Sequence, residues 1–147
     1  MWTRARWLLE ARPADYMLAM SVASAQLPVI GRHLEPLGGA TAMLDVSDGL
    51  VQDAGHLAGS SGVVVALDTA RIVVDAPVAE AAAAFNADPL LWVLGGGDDH
   101  ALLATFPAGA ALPEGFVAIG EVVAGEPAVL VDGAPWAGPA GHDHFAH

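Results

Sequence analysis

Cysteine is absent from the 147 residues, and so is lysine. Without thiols there is no disulfide framework and no thiolate metal site. Without lysine, five arginines stand against 17 acidic residues, and the formal net charge is −12. A surface of that sign repels nucleic acid and anionic lipid, so neither a nucleic acid nor a membrane is an expected partner. A long apolar run is missing too. Spanning a bilayer takes roughly 18 such residues. The best candidate, Met17 to Ile30, is broken by Ser21, Ser24, Gln26 and Pro28. Near the N-terminus, Glu10 and Arg12 interrupt Trp7-Leu8-Leu9 too early for the core of a signal peptide. These absences predict a cytoplasmic protein.

What is present suits one core of ordinary size: 54% of the residues are hydrophobic, which argues against disorder. The acid excess carries a second implication. If such a chain handles phosphates, something must neutralise them. Aspartate-rich sites hold hard divalent cations through oxygen. The plainer reading is that the acids keep an apolar protein in solution.

The first forty residues are the least legible, with a helix over Ala14 to Gln26 as the reading there. From Thr41 the pattern sharpens. Thr41 to Asp45 reads as a short buried strand. Leu50, Val51, Ala54, Leu57 and Ala58 fall on one face of a helix that Gly62 can end. Val63 to Leu67 is β-branched and reads as a strand. Pro77 to Phe85 and Asp88 to Leu94 read as helices, each with proline at its start. Ala101 to Phe106 and Phe116 to Val123 read as strands. Asp132-Gly133 marks a hairpin between Ala128–Val131 and Ala134–Trp136. Helices mixed with a terminal hairpin predict an α+β fold with a mixed sheet.

Three acidic segments stand out. In Asp45-Val46-Ser47-Asp48-Gly49, Ser47 or Asp48 can cap the following helix. Capping does not account for Asp45, which ends an apolar strand where a carboxylate is costly unless paired or metal-bound. Two carboxylates and a hydroxyl beside a helix N-terminus can hold Mg2+ and a phosphate together. Gly95-Gly96-Gly97-Asp98-Asp99-His100 is a side-chain-free loop followed by acids, and a solvated turn is the plainer reading. Gly141-His142-Asp143-His144-Phe145 is either a zinc-binding tail or a simple terminus. His56, beside Leu57, reads as a partly buried structural histidine.

In their order these segments resemble thiamine-monophosphate kinases. AMLDVSDGLVQDAGHLAGSSGV (Ala42 to Val63) is similar to the segment that opens the family's C-terminal domain. Gly96 to Leu102 resembles its G-G-E-D-Y-E-L, and Gly141 to Phe145 its terminal G-Y-D-H-F. Phe116 to Gly120 and Val129 to Gly133 match the intervening strands. The resemblance covers Thr41 to Phe145. It implies the α+β fold of the aminoimidazole-ribonucleotide synthetase superfamily, with packed helices, a mixed sheet and partial ferredoxin-like topology. It also implies ATP- and Mg2+-dependent phosphorylation of thiamine monophosphate to thiamine diphosphate.

Carried over by position, the resemblance makes Asp45 and Asp48 metal ligands and Ser47 a nucleotide contact. Asp98 stands where the family has a substrate-contacting Glu, and His142 where it has an aromatic near the substrate. No residue here takes a covalent catalytic role. Asp98 is one methylene shorter than Glu, and His100 and Ala101 replace Tyr and Glu. The division this implies is a poorly matched segment over residues 1–40 and a kinase C-terminal domain over 41–147. The family's N-terminal nucleotide-binding domain, which makes the homodimer of the full-length enzyme, has no counterpart in these residues. The alternative is a non-catalytic, stand-alone domain of the same superfamily that binds a ligand or a partner.

Overall fold

The computed structural model describes residues 16–21, 39–96 and 101–138. Among these residues, seven strands form one mixed sheet: β1 (Tyr16–Ser21), β2 (Ala42–Asp45), β3 (Val64–Leu67), β4 (Leu102–Pro107), β5 (Phe116–Val123), β6 (Ala128–Val131) and β7 (Ala134–Pro135). Their order is β2-β4-β1-β5-β3-β6-β7. Only the β3–β6 pair is parallel; every other neighbouring pair is antiparallel. Among the described residues, three α-helices accompany the sheet: α1 (Leu50–Ser61), α2 (Ala76–Ala84) and α3 (Pro89–Gly95). The fold is α+β, as the mixed pattern predicts.

Local chemistry accounts for the element ends. Gly62 closes α1 in the left-handed region, at φ 69°, and its N–H reaches the Ala58 carbonyl at 2.8 Å. This is the conformation glycine adopts without steric penalty. Asp88 caps α3 by accepting the Leu90 N–H at 2.9 Å. At the β6–β7 hairpin both central residues, Asp132 and Gly133, have positive φ, as a two-residue turn between twisted strands demands.

The N-terminal segment differs from expectation. Tyr16–Ser21 is a strand, not part of a helix, and it fills the slot between β4 and β5. Met and Ala favour helix in isolation, but two antiparallel ladders override that weak preference. Leu18 and Met20 join the core that α1 and α3 cover, and Ala19 joins Ala104, Phe106 and Phe116 on the opposite face. This is the alternation a strand buried on both faces imposes. The pairing shifts between Leu18 and Ala19, which oppose Gly120 and Ala118, so Ile119 of β5 is the extra residue of a bulge.

Candidate functional site

The site begins where β2 ends. The Val46 N–H donates to the Ala101 carbonyl at 2.8 Å, one step beyond the Asp45–Leu102 pair. This bond has a topological consequence. The acidic loop after β2 lies beside the residue that directly follows the Gly97–His100 segment. The loop after β2 and the start of β4, about fifty positions apart in the chain, therefore meet at one end of the sheet.

Between β2 and α1 the chain turns through Val46 to Gly49. Val46 is buried and anchors the loop, while Asp45 and Ser47 are exposed and Asp48 is half-buried. Gly49 occupies the N-cap position at φ 123°, a conformation that L side chains rarely adopt. The N-cap position therefore belongs to Gly49 rather than to Ser47 or Asp48. The exposure of Asp45 also removes the argument from the cost of burial, because its carboxylate stays in water.

The residue that sequence reasoning missed is Asp53. It lies on the apolar face of α1, three positions after Leu50 and four before Leu57, and is only 3% exposed. Its Oδ2 accepts the N–H of Ser47 at 2.9 Å and that of Asp48 at 3.0 Å. A carboxylate within a helical apolar stripe is the signal that could have singled it out.

One ligand atom each from Asp48, Asp53 and His56 lie within 4.8 Å of one another. His56 is exposed, which corrects the reading of it as partly buried. The two carboxylates suit a hard, oxygen-seeking cation such as Mg2+; the imidazole suits softer metals better. Asp45 does not belong to this close group. Asp98, His142 and the His-Asp-His tail lie outside the described residues.

Away from this group, a concave region of about 330 Å³ lies between β3, β5 and the β6–β7 turn, lined by Asp68, Arg71, Glu121 and Asp132 among others. Arg71 is the only Arg or Lys among the described residues, and it pairs with Asp68 at 2.9 Å. Among the described residues, no helix is long and apolar enough to cross a membrane.

No family model matches the chain. The thiamine-monophosphate kinase of Mycobacterium tuberculosis is 48% identical over 108 residues, 73% of this chain and 32% of that protein. A separate likeness of 74% identity joins 38 residues, 26% of this chain, to 9% of Esterase LipC of Mycobacterium tuberculosis. Among solved structures, AaThiL complexed with AMPPCP and TMP superposes with a TM-score of 0.74 and 29% identity. That match covers 92% of this chain and 52% of the other. HypE of E. coli, a hydrogenase maturation protein, shares the fold at a TM-score of 0.62 and 16% identity, over 95% of this chain and 53% of its own. The chain thus spans between about a third and about half of the length of its kinase relatives. Motifs, fold and sequence likeness converge, and the chain belongs to the thiamine-monophosphate kinase family, a family of enzymes.

Proposed function

We propose that this chain supplies the C-terminal part of the active site of a cytoplasmic thiamine-monophosphate kinase, with residues 41–147 contributing the site residues and the strand Tyr16–Ser21 completing the sheet that carries them. In the reaction a phosphate oxygen of thiamine monophosphate attacks the γ-phosphorus of ATP, the bond to the β–γ bridging oxygen breaks, and thiamine diphosphate and ADP form. The observation that carries the reading is the Val46–Ala101 bond, which sets the Asp45–Gly49 loop beside the end of the glycine-rich motif. The solved relative that holds AMPPCP, a nonhydrolysable ATP analogue, together with TMP supports the choice of ligands.

On this reading Asp45 and Asp48 hold Mg2+, Asp53 lies close enough to Asp48 to add its charge, and Ser47 contacts the nucleotide. Asp98 and His142 face the substrate. Bound Mg2+ would supply the charge neutralisation that phosphoryl transfer requires. The protein's own part is positioning. The rigid junction of β2 and α1 fixes where the carboxylates stand, and the acidic walls favour the cationic thiazolium ring. The rest of the site belongs to the part of the relatives that this chain does not span, and the complete enzyme is a homodimer.

The test is complementation. The chain is mixed with the part of the Mycobacterium tuberculosis kinase that it does not span, and thiamine diphosphate formation is measured with ATP and Mg2+. Product from the mixture, and none from either piece, is the expected result. A mixture that binds thiamine monophosphate but yields no product, while the intact relative turns over, favours the binding-only alternative.

A further inference from the structure

Asp53 poses a problem of its own. Burying a carboxylate is expensive unless hydrogen bonds compensate it. Its side chain accepts bonds from two amides, and neither belongs to its own helix. Both come from the loop, five and six positions back along the chain. A carboxylate that served the helix would bond the orphan amides of the first turn. Asp53 reaches past them to the peptide groups that carry Ser47 and Asp48.

The geometry of those bonds is restrictive. Two consecutive N–H groups converge on one oxygen, Oδ2. Consecutive amides aimed at a single anion fix two peptide planes together, as in the anion-holding concavities formed by successive backbone N–H groups. Fixing those planes fixes the Cα–Cβ directions of Ser47 and Asp48. The positive φ of Gly49 lets the chain turn into α1 directly afterwards. The loop is held on its other side by the Val46–Ala101 bond. The floor beneath it is firm as well, since Val46, Leu50 and Ala54 are all buried in the main core.

We propose that Asp53 is a positioning residue. Its buried carboxylate holds the Ser47–Asp48 loop in the shape that presents Asp48 to a divalent cation and Ser47 to a nucleotide phosphate. The inference rests on the reading of Asp48 and Ser47 given above, and it adds the device that sets their geometry. Asp53 acts through the backbone of its neighbours. An acceptor oxygen at its position is therefore the essential feature, and its negative charge is secondary.

That distinction makes the idea testable in the full 147-residue chain. Asp53→Asn keeps an acceptor oxygen and removes the charge; Asp53→Leu keeps the branched shape, with added bulk, and removes both. Amide hydrogen exchange at Ser47 and Asp48 is followed by NMR, with Leu103 and Phe106 as reporters of the intact core. Mg2+ is then titrated while the same two amide signals are watched. In Asp53→Leu, protection at Ser47 and Asp48 falls roughly ten- to hundredfold, the worth of hydrogen bonds to a charged acceptor, while the core reporters hold. In Asp53→Asn most of the protection returns, and Mg2+ still shifts both signals, with an affinity about tenfold weaker at most.

Unchanged protection in Asp53→Leu overturns the proposal. So does an Asp53→Asn chain that keeps its amide protection but loses all response to Mg2+, because Asp53 would then be a ligand rather than a positioner. Should Asp53→Leu lose its core protection as well, Asp53→Asn decides: protected loop amides and a Mg2+ response support the proposal, and their loss in a folded chain sinks it. A wild-type chain with no response to Mg2+ overturns the cation reading of the site. The exchange rates then decide the hold of Asp53 on the loop by themselves.

Discussion

Thr69 donates both its backbone N–H, at 2.9 Å, and its hydroxyl, at 2.7 Å, to the carboxylate of Asp132 across 63 positions of sequence. The pair ties the start of the short 3-10 turn Thr69–Arg71 to the β6–β7 hairpin. The hydroxyl bond first, and the backbone bond second, hold the Asp132 carboxyl below its ordinary value, against a small opposing effect of desolvation. The folded value is the lower one. The pair's contribution is therefore complete above the unfolded carboxylate value and is lost as pH falls through the folded one. Thr69→Val removes the larger cause. The Asp132 titration midpoint, followed by NMR of the side-chain carboxyl, is expected to rise toward the ordinary range. An unmoved midpoint would show that the hydroxyl bond does not form in solution.

Gly120 lies between β1 and β3, opposite Leu18 on one side and Leu67 on the other. A Cβ there would fall inside van der Waals contact with the Ala66 carbonyl oxygen and crowd the Leu67 Cα. Both obstacles are backbone, so neither can swing aside. Gly120→Ala should destabilise the chain by at least about 2 kcal/mol, because an overfilled interior must shift whole strands. Urea unfolding gives the answer. A midpoint equal to that of wild type would mean that the two strands lie farther apart than described.

Leu18 is fully buried at the centre of the sheet although it lies in the first forty residues, the part of the sequence with the fewest local signals. Leu18→Ala should cost about 2–5 kcal/mol, the range for truncating a buried leucine. Equilibrium unfolding in urea measures it. A loss below a few tenths of a kcal/mol would show that Tyr16–Ser21 only rests against a domain that stands without it.

The contrast between that strand and the rest marks what the sequence can convey. From residue 41 onward each element announces itself locally. Gly62 ends α1, Asp88 and Pro89 start α3, and Asp132-Gly133 turns the hairpin. Tyr-Met-Leu-Ala-Met-Ser carries no such mark. It has no polar alternation because it is buried on both faces, and its ladders come from β4 and β5, more than eighty positions away. The acidic loop is legible for the same local reason as the helices. Asp53 is not, because a lone acid on a helix is ordinarily read as solvated, and only the folded chain brings two loop amides to it.

The chain spans between about a third and about half of its kinase relatives, so on the proposed reading it holds only part of the site. Phosphoryl transfer draws its rate from holding both phosphate-bearing reactants and the metal in one geometry. Such positioning can be worth roughly 7–11 kcal/mol, so half a site should forfeit most of the acceleration. Two or three carboxylates leave Mg2+ largely hydrated and weakly held. The 147-residue chain alone is therefore expected to bind Mg2+ weakly, to bind little ATP and to form no measurable thiamine diphosphate. In the complete two-domain enzyme, Asp48→Asn should lower turnover by orders of magnitude and leave the circular dichroism spectrum unchanged. Coupled assays on the chain and on the complete enzyme decide both points. If the chain alone turns over at about 1 per second or faster, an ordinary enzymatic rate, its own residues outside 41–147 must complete the site. If Asp48→Asn turns over like wild type, the phosphates are neutralised elsewhere, and the loop between β2 and α1 is a structural turn.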